Sequence, residues 1–159
     1  MYSLTFKTPV GYLELSSNEV ELVSISFVDS AQKPSPKTPG ILYIAKQQLK
    51  EYFSGTRKNF DLPISPQGTD FQQKVWSEVS KITFGETASY LDIAKATGSP
   101  KNTRAVGLAN SKNPIPIIIP CHRIIGTNGK LTGYAGGIHR KRWLLKHEFD
   151  NSKKQNLLF

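Results

Sequence analysis

The chain has 159 residues, a formal net charge of +9 and a single cysteine, and these numbers exclude several classes of protein. The length fits one good hydrophobic core or two small ones, and the composition is typical neither of disordered or collagen-like chains nor of disulfide-rich domains. The longest apolar run, residues 115–119, is interrupted by Pro116 and is too short to span a bilayer, and the N-terminus lacks a secretion-signal pattern. With an unpaired thiol as well, we expect a cytoplasmic protein without a membrane partner.

The positive charge is concentrated in the second half of the chain. Residues 1–68 carry seven lysines and arginines against six acidic residues, whereas residues 69–159 carry fourteen against six. The second half is therefore the part that we expect to meet a polyanion. The alternative is a basic surface that only keeps the protein in solution.

Residues 1–65 are predicted to form a small α+β domain. Alternating apolar residues predict three short antiparallel strands, with breaks at residues 9–11 and 17–18. After a proline-rich loop, apolar residues recur at helical spacing from Leu42 to Phe53, where a helix is expected to end. No reactive set of side chains gathers in this domain, so we expect it to act as a scaffold.

A second, mainly helical domain is predicted from residue 66 to residue 150. Prolines and a glycine mark the linker before it, and Asp70 is a fair N-cap for its first helix. The last ordered element is expected to be a basic helix from His139 to about residue 149. Residues 151–159 are expected to form a loose tail.

Two short helices within this domain predict a helix-turn-helix. Apolar residues at helical spacing begin at Tyr90, and a turn at Gly98 separates them from a second helix over about residues 101–109. Arg104 is the one long cationic side chain between Thr103 and Asn110, because Ala105 and its neighbours are small. Small residues let the backbone approach DNA closely and favour recognition of shape over sequence. The alternative is that this helix only packs against a neighbour.

Cys121 follows a run of isoleucines and directly precedes His122 and Arg123. A lone cysteine cannot form an internal disulfide, and with only two other histidines besides His122 it makes a poor metal site. The residues alone leave two interpretations, a buried inert thiol or a nucleophile. A basic or cationic neighbour lowers the pKa of a thiol from its usual value of about 8.5, so His122 and Arg123 favour the nucleophile.

The segment after the cysteine is rich in turn signals. Asn128 and Gly129 predict a tight turn, and three glycines follow between residues 133 and 137. We expect a wing or a flexible lid, in which backbone N–H groups can approach a ligand closely.

Four segments of the second domain together carry a resemblance to a known family. They are Asn113-Pro114-Ile115-Pro116, Ile119-Pro120-Cys121-His122-Arg123, Gly133-Tyr134-Ala135-Gly136-Gly137 and Trp143-Leu144-Leu145-Lys146-His147-Glu148. Through them the chain from about Phe71 to Glu148 closely resembles the O6-alkylguanine-DNA alkyltransferases, or methylated-DNA–protein-cysteine methyltransferases. The first domain fits that family's ribonuclease-H-like domain in outline. The implied fold is α+β, with a winged helix-turn-helix-like second domain.

The resemblance implies repair of double-stranded DNA by irreversible, stoichiometric transfer of an alkyl group from O6-alkylguanine to Cys121. O4-alkylthymine is left open as a second substrate. Such a protein acts once per molecule, requires no cofactor and is expected to be a monomer. Some members bind zinc in the N-terminal domain, but this chain has no cysteine there and no histidine before His122, so we expect no metal.

The resemblance also implies roles for individual residues. Cys121 would be the acceptor thiol, His122 the base that removes its proton through a water, and Glu148 the residue that orients the imidazole. Asn113 would brace the turn, and Tyr90 would offer a hydroxyl to the guanine, which must leave the base stack to be reached. Arg104 would fill the space that the guanine leaves in the base stack. The implied DNA contacts are Tyr90, Thr103, Arg104, Ala105 and Arg123. The implied pocket residues are Ile124, Tyr134, Ala135 and Gly136.

Other functions remain open at this point. Several members of the family carry serine where this chain has Ala135, so the size range of accepted alkyl groups is open. An alkyltransferase-like protein would flag damaged guanine without reacting, although members of that group generally lack the acceptor cysteine. A helix-turn-helix regulator would use Cys121 as a redox sensor, and a cysteine hydrolase would turn over.

Overall fold

The computed structural model describes residues 1–156, and the side chains of residues 1–152. The chain divides into two units, the first ending at Gln67 and the second beginning at Gly68. Each unit has its own hydrophobic core.

The first unit is a three-stranded antiparallel sheet covered by one helix. Its elements are β1 (Tyr2–Thr8), β2 (Gly11–Ser17), β3 (Leu22–Val28) and α1 (Gly40–Phe53), and the strands pair in the order β1-β2-β3. Leu13 and Leu15 on the central strand are fully buried, as are Leu42 and Leu49 on the helix, so the core lies between sheet and helix. Val20 follows the predicted break at residues 17–18 and was therefore expected in the third strand, but it is exposed and precedes β3. Residues 18–21 form a turn, because the side-chain oxygen of Asn18 accepts from the backbone N–H groups of residues 20 and 21.

The second unit is mainly helical, which together with the first unit confirms the α+β fold. Its elements are α2 (Asp70–Val79), β4 (Ala88–Ser89), α3 (Tyr90–Ala96), α4 (Thr103–Ser111), β5 (Ile124–Ile125) and α5 (Ile138–Asn156), with 3-10 turns at Pro100–Asn102 and Cys121–Arg123. The two short strands β4 and β5 pair in parallel.

Helix α2 begins with a capping box at Thr69, not at Asp70 as the sequence suggested. The Thr69 side chain accepts from the backbone N–H of Gln72, and the Gln72 side chain accepts from the backbone N–H of Thr69. Asp70 lies in the first turn, where its negative charge favours the positive end of the helix dipole.

Helices α3 and α4 are joined by a turn that Gly98 makes possible. Gly98 has a φ of +131°, a conformation that other residues rarely adopt. The predicted second helix is divided at its start, since residues 100–102 form a 3-10 turn before α4 begins at Thr103. The indole N–H of Trp76 donates to the carbonyl oxygen of Ala109 at 2.9 Å, which fixes α2 against α4.

The segment between β5 and α5 is a turn followed by a loop. The N–H of Gly129 donates to the carbonyl of Gly126 at 2.8 Å, as expected for a tight turn. Within the described residues, positions 126–137 contain no strand, so this segment has the form of a loop and not of a β-hairpin wing.

Helix α5 is longer than the sequence suggested. It continues through Asn156, so residues 151–156 are helical where a loose tail was expected, and residues 157–159 lie outside the described residues. The side chain of Asn151 donates to the carbonyl of His147 at 2.7 Å, and no proline or glycine follows to end the helix. Among the described residues, no helix combines the length and the apolar content needed to cross a membrane.

Candidate active site

A tight loop before Cys121 is held at both ends by Asn113. The Asn113 side chain accepts from the N–H of Ile115 at 2.9 Å and donates to the carbonyl of Ile119 at 2.8 Å. Ile117 within this loop has a φ of +76°, which is strained for a β-branched residue and persists only when the surrounding structure enforces it. The Asn113 side chain thus lies at the turn that the resemblance implied it would brace.

The thiol of Cys121 is buried. Only 3% of the residue is exposed, and burial raises the pKa of the thiol to about 11, although a hydrogen bond from Asn113 and the positive charge of Lys141 act in the opposite direction. The sequence pattern suggested a lowered pKa, and burial outweighs that influence here. At neutral pH the resting thiol is almost entirely protonated, so its proton must leave as the sulfur reacts.

His122 is fully buried and is held through one ring nitrogen by Glu148. Its Nε2 lies 2.7 Å from Oε2 of Glu148, while Nδ1 has no hydrogen-bond partner among the described residues. Burial lowers the pKa of His122, so the ring is neutral at rest. The carboxylate favours the tautomer with the proton on Nε2, which leaves the lone pair of Nδ1 available to accept a proton.

Arg123 lies inside the unit, bound to the same carboxylate. Its Nε and Nη2 donate to the two oxygens of Glu148 at 2.8 and 3.0 Å, and Nη1 donates to the carbonyl of Ile82 at 2.6 Å. Only 6% of the residue is exposed. Arg123 was expected among the DNA contacts; that expectation is corrected, because its guanidinium is committed to a buried carboxylate.

Glu148 is ionised in this environment. Burial alone would raise its pKa, but the hydrogen bonds from His122 and Arg123, together with the charge of Arg123, outweigh burial and hold the pKa well below its usual range. Since His122 is neutral at rest, the permanent positive charge of Arg123 is the partner that matters. Glu148 is therefore a fixed negative charge next to the imidazole.

Lys141 belongs to the site, although the sequence suggested only that it is one of several basic residues on α5. It is fully buried, and its ammonium group donates to the carbonyl of Thr132 at 2.7 Å. Burial lowers its pKa to about 8. A usable signal was present in the sequence, since Lys141, Leu144 and Glu148 follow helical spacing and occupy the same buried face.

Asn110 is a second residue that the sequence did not identify. It is 4% exposed, and its side-chain nitrogen donates to the carbonyl of Cys121 at 3.3 Å. Its side-chain oxygen has no hydrogen-bond partner among the described residues. Helical spacing from Val106 places Asn110 on the buried side of α4, but spacing alone does not indicate the contact with Cys121.

Tyr90 lies at the start of α3, beside the loop that precedes α5. Its hydroxyl accepts from the Thr132 hydroxyl at 3.2 Å, and the ammonium group of Lys141 lies 5.9 Å from the centre of its ring. The structure thus brings Tyr90, Thr132 and Lys141 together. Both Tyr90 and the adjacent loop remain partly accessible.

The expected pocket residues differ in their exposure. Ile124, Tyr134 and Gly136 are buried, whereas Ala135 is exposed. The carbonyl of Gly136 accepts from the Arg140 side chain at 3.0 Å, which ties the loop to the start of α5.

Three of the expected DNA contacts are neighbours at the beginning of α4. Arg104 and Ala105 are exposed and Thr103 is half-buried. They lie on the surface of the unit.

Both parts of the chain match models of one family. Residues 70–149 match the DNA binding domain of 6-O-methylguanine DNA methyltransferase, and residues 1–66 match its ribonuclease-like domain. The chain belongs to the 6-O-methylguanine DNA methyltransferase family. The resemblance seen in the sequence is thereby confirmed.

Relatives with established names support this membership along the whole chain. A methylated-DNA–protein-cysteine methyltransferase of Methanosarcina acetivorans is 46% identical over 93% of this chain and 98% of its own length. The constitutive enzyme of Bacillus subtilis is 48% identical over 85% of this chain and 87% of its own length. As a member of this methyltransferase family the chain repairs methylated DNA by transfer to a protein cysteine, and Cys121 is the only cysteine that it has.

Solved structures of the methyltransferase family share the fold. The O6-methylguanine methyltransferase of Mycobacterium tuberculosis is 45% identical, covers 95% of this chain and 94% of its own, and has a TM-score of 0.85. A structure of the Mycobacterium tuberculosis protein in complex with DNA covers 92% of each chain with 45% identity and a TM-score of 0.84.

Proposed function

We propose that this methyltransferase removes the alkyl group from O6 of guanine in double-stranded DNA and retains it on Cys121. The observation that carries the proposal is the open Nδ1 of a neutral His122, next in sequence to the thiol and fixed through its other nitrogen by Glu148. This arrangement provides a nucleophile, a base and an orienting carboxylate.

The raised pKa of Cys121 requires proton removal and attack to be coupled. The thiol proton passes to Nδ1 of His122 through a bridging water, and Glu148 stabilises the resulting imidazolium from 2.7 Å. The sulfur forms a bond to the alkyl carbon, the bond from that carbon to O6 breaks, and its electron pair passes to the guanine. The product is a thioether without a good leaving group, so each chain reacts once.

The departing guanine needs a hydrogen-bond donor or a proton, and we assign that role to Tyr90. Its hydroxyl lies at the accessible edge of the unit, and within the described part of the chain its hydrogen bonds go to Thr132 alone, which an incoming base can replace. The ammonium of Lys141 lies 5.9 Å from the centre of the Tyr90 ring and adds a positive charge to this edge of the site. Tyr90 would therefore stabilise the leaving group as charge develops.

We further propose that α3 and α4 bind duplex DNA as a helix-turn-helix and that the damaged base leaves the stack. A stacked guanine does not expose its O6 substituent to a thiol, and extrusion costs a few kcal/mol. Arg104 is exposed at the start of α4 and would fill the vacated space, with Thr103 and Ala105 close to the backbone. The protein would act in the cytoplasm as a monomer.

Mass spectrometry of the intact protein and of its Cys121 peptide tests the proposal directly. The protein is incubated with a duplex that contains one O6-methylguanine, and the Cys121 peptide should gain the mass of one methyl group per chain. A second duplex with O4-methylthymine measures the other candidate substrate. Cys121→Ser should bind the first duplex and gain no mass. An unchanged mass of the wild-type peptide after complete binding would contradict the proposal.

A further inference from the structure

Helix α4 leaves one face uncovered along its whole length. Its exposed positions share helical spacing from the preceding 3-10 turn to the C-cap: Lys101, Arg104, Ala105, Leu108, Ser111 and Lys112. The opposite positions are buried, and Ala109 is fixed by the indole of Trp76. The open face is therefore presented rigidly.

Leu108 is the one large apolar side chain on this face, and it is 63% exposed. A single exposed leucine is ordinary on a protein surface. Here, however, it lies one helical turn after Arg104, with Lys101 and Lys112 at the two ends of the face. The face is therefore positively charged at its ends and apolar at its centre.

Such a face fits the minor groove of DNA. Lys101 and Lys112 are separated by about 17 Å along the axis of the 3-10 turn and α4, which allows their ammonium groups to reach phosphates on both sides of a groove about 6 Å wide. Between the phosphates the groove presents deoxyribose carbons and base edges. Proteins that bind there insert apolar side chains such as leucine against base steps and thereby weaken the stacking.

We propose that Leu108 is an apolar contact with the minor groove that loosens the base stack next to the position filled by Arg104. The inference rests on the proposed function and extends it, because it assigns part of the extrusion of the base to a residue that carries no charge. Leu108 would promote unstacking, and Arg104 would hold the gap once the base has left. Ala105, which is also exposed, leaves room for the groove wall between them.

Leu108→Ala and Ile44→Ala form a matched pair for the test. Both remove the same number of carbon atoms from an exposed helix position, and Ile44 lies on α1 with 48% exposure. Binding to an O6-methylguanine duplex is measured by fluorescence anisotropy across a salt series. We expect Leu108→Ala to weaken binding by about tenfold and Ile44→Ala to leave binding unchanged. Leu108→Met, which keeps a large apolar side chain at this position, should bind with wild-type affinity.

The salt series separates an apolar contact from a loss of charge. A residue that neutralises a phosphate reduces the slope of log K against log salt by about one when it is removed, as expected for Lys112→Ala. Leu108→Ala should weaken binding at an unchanged slope. It should also reduce the fluorescence increase of a 2-aminopurine placed beside the lesion, which reports unstacking.

Several results would overturn the proposal for Leu108. These are wild-type affinity of Leu108→Ala, an equal loss in Ile44→Ala, a loss of thermal stability specific to Leu108→Ala, or a change in oligomeric state. Failure of the wild-type protein to transfer the methyl group would instead refute the proposed chemistry. In that case the binding comparison would still decide the role of Leu108, because it needs no transfer.

Discussion

Replacement of Glu148 by glutamine tests the buried network on which the site depends. Glu148→Gln keeps the shape of the side chain but removes its charge, so the guanidinium of Arg123 loses both of its ionic hydrogen bonds, at 2.8 and 3.0 Å. Because Arg123 is 6% exposed, water cannot replace the lost partner fully. The variant therefore leaves a buried charge without a counter-ion.

Removal of one partner from a buried ion pair destabilises a protein by about 3–5 kcal/mol. We expect Glu148→Gln to lower the stability of the second unit by that amount. The matched control is Glu51→Gln, which breaks an Arg57–Glu51 pair of similar length, 2.8 Å, whose side chains are 29% and 34% exposed. The control should change stability little, because exposed pairs are screened by water and salt.

Urea unfolding of Glu148→Gln is followed by tryptophan fluorescence, and that of Glu51→Gln by circular dichroism, because Glu51 lies in the first unit. Both tryptophans of the chain, Trp76 and Trp143, lie in the second unit, which begins at Gly68. Methyl transfer at saturating DNA should also fall by at least about 100-fold, because the imidazolium of His122 loses its stabilising carboxylate. A wild-type urea midpoint for Glu148→Gln would refute the claim that this ion pair supports the fold.

The pH dependence of stability gives a second measurement of the same group. The pKa of Glu148 is lowered in the folded state, so its contribution is complete above the unfolded pKa of about 4.3 and is lost as the pH falls below that value. Below about pH 4.3 the wild type should therefore lose stability more steeply than Glu148→Gln. Equal slopes would mean that the carboxylate is not the titrating group.

Three further predictions concern buried groups at the site. The rate at which iodoacetamide modifies native Cys121 should rise with pH, with a midpoint near the thiol pKa of about 11. For the urea-unfolded chain the midpoint should be about 8.5. Coincident midpoints would contradict the burial of the thiol. Lys141→Met should raise the urea midpoint at pH 7, and this gain should shrink above pH 8, the approximate pKa of Lys141, as the wild-type ammonium deprotonates. Methyl transfer by Lys141→Met should be slower because Thr132 loses its anchor, and wild-type rates would exclude that role. Asn110→Leu should change stability by less than about 1 kcal/mol, since it removes a buried unpaired oxygen together with one hydrogen bond. The same variant should slow methyl transfer in single-turnover kinetics. An unchanged rate would exclude Asn110 from positioning Cys121.

The inward orientation of the Arg123 side chain could not be predicted from the motif around Cys121. The resemblance placed Arg123 among the DNA contacts, and Arg123 lies in the basic half of the chain that we expected to meet a polyanion. In the structure Cys121, His122 and Arg123 form one 3-10 turn whose three residues are all buried. Only the position of Glu148, distant in sequence and close in space, explains why the guanidinium lies inward.

The burial of Lys141, by contrast, could have been predicted from the sequence. Three consecutive basic residues begin at Arg140, and their composition suggested a uniformly basic helix. The helical phase relative to Leu144 separates Lys141 from its exposed neighbour Arg142. What the sequence could not provide is the acceptor, because Thr132 reaches the ammonium group only through the path of the preceding loop.

The raised pKa of Cys121 also explains how an acceptor that reacts once survives until it meets damage. Because the pKa of the thiol lies about four units above pH 7, formation of the thiolate at pH 7 costs about 5 kcal/mol. This protects the sulfur from oxidants and free alkylating agents, whose reactions depend on the thiolate. Proximity and orientation of a base that reaches the sulfur through one water, as proposed for His122, are worth about 7–11 kcal/mol, which is enough to offset that barrier. Reactivity would then depend on delivery of the alkyl group by DNA, and not on a permanently activated thiolate.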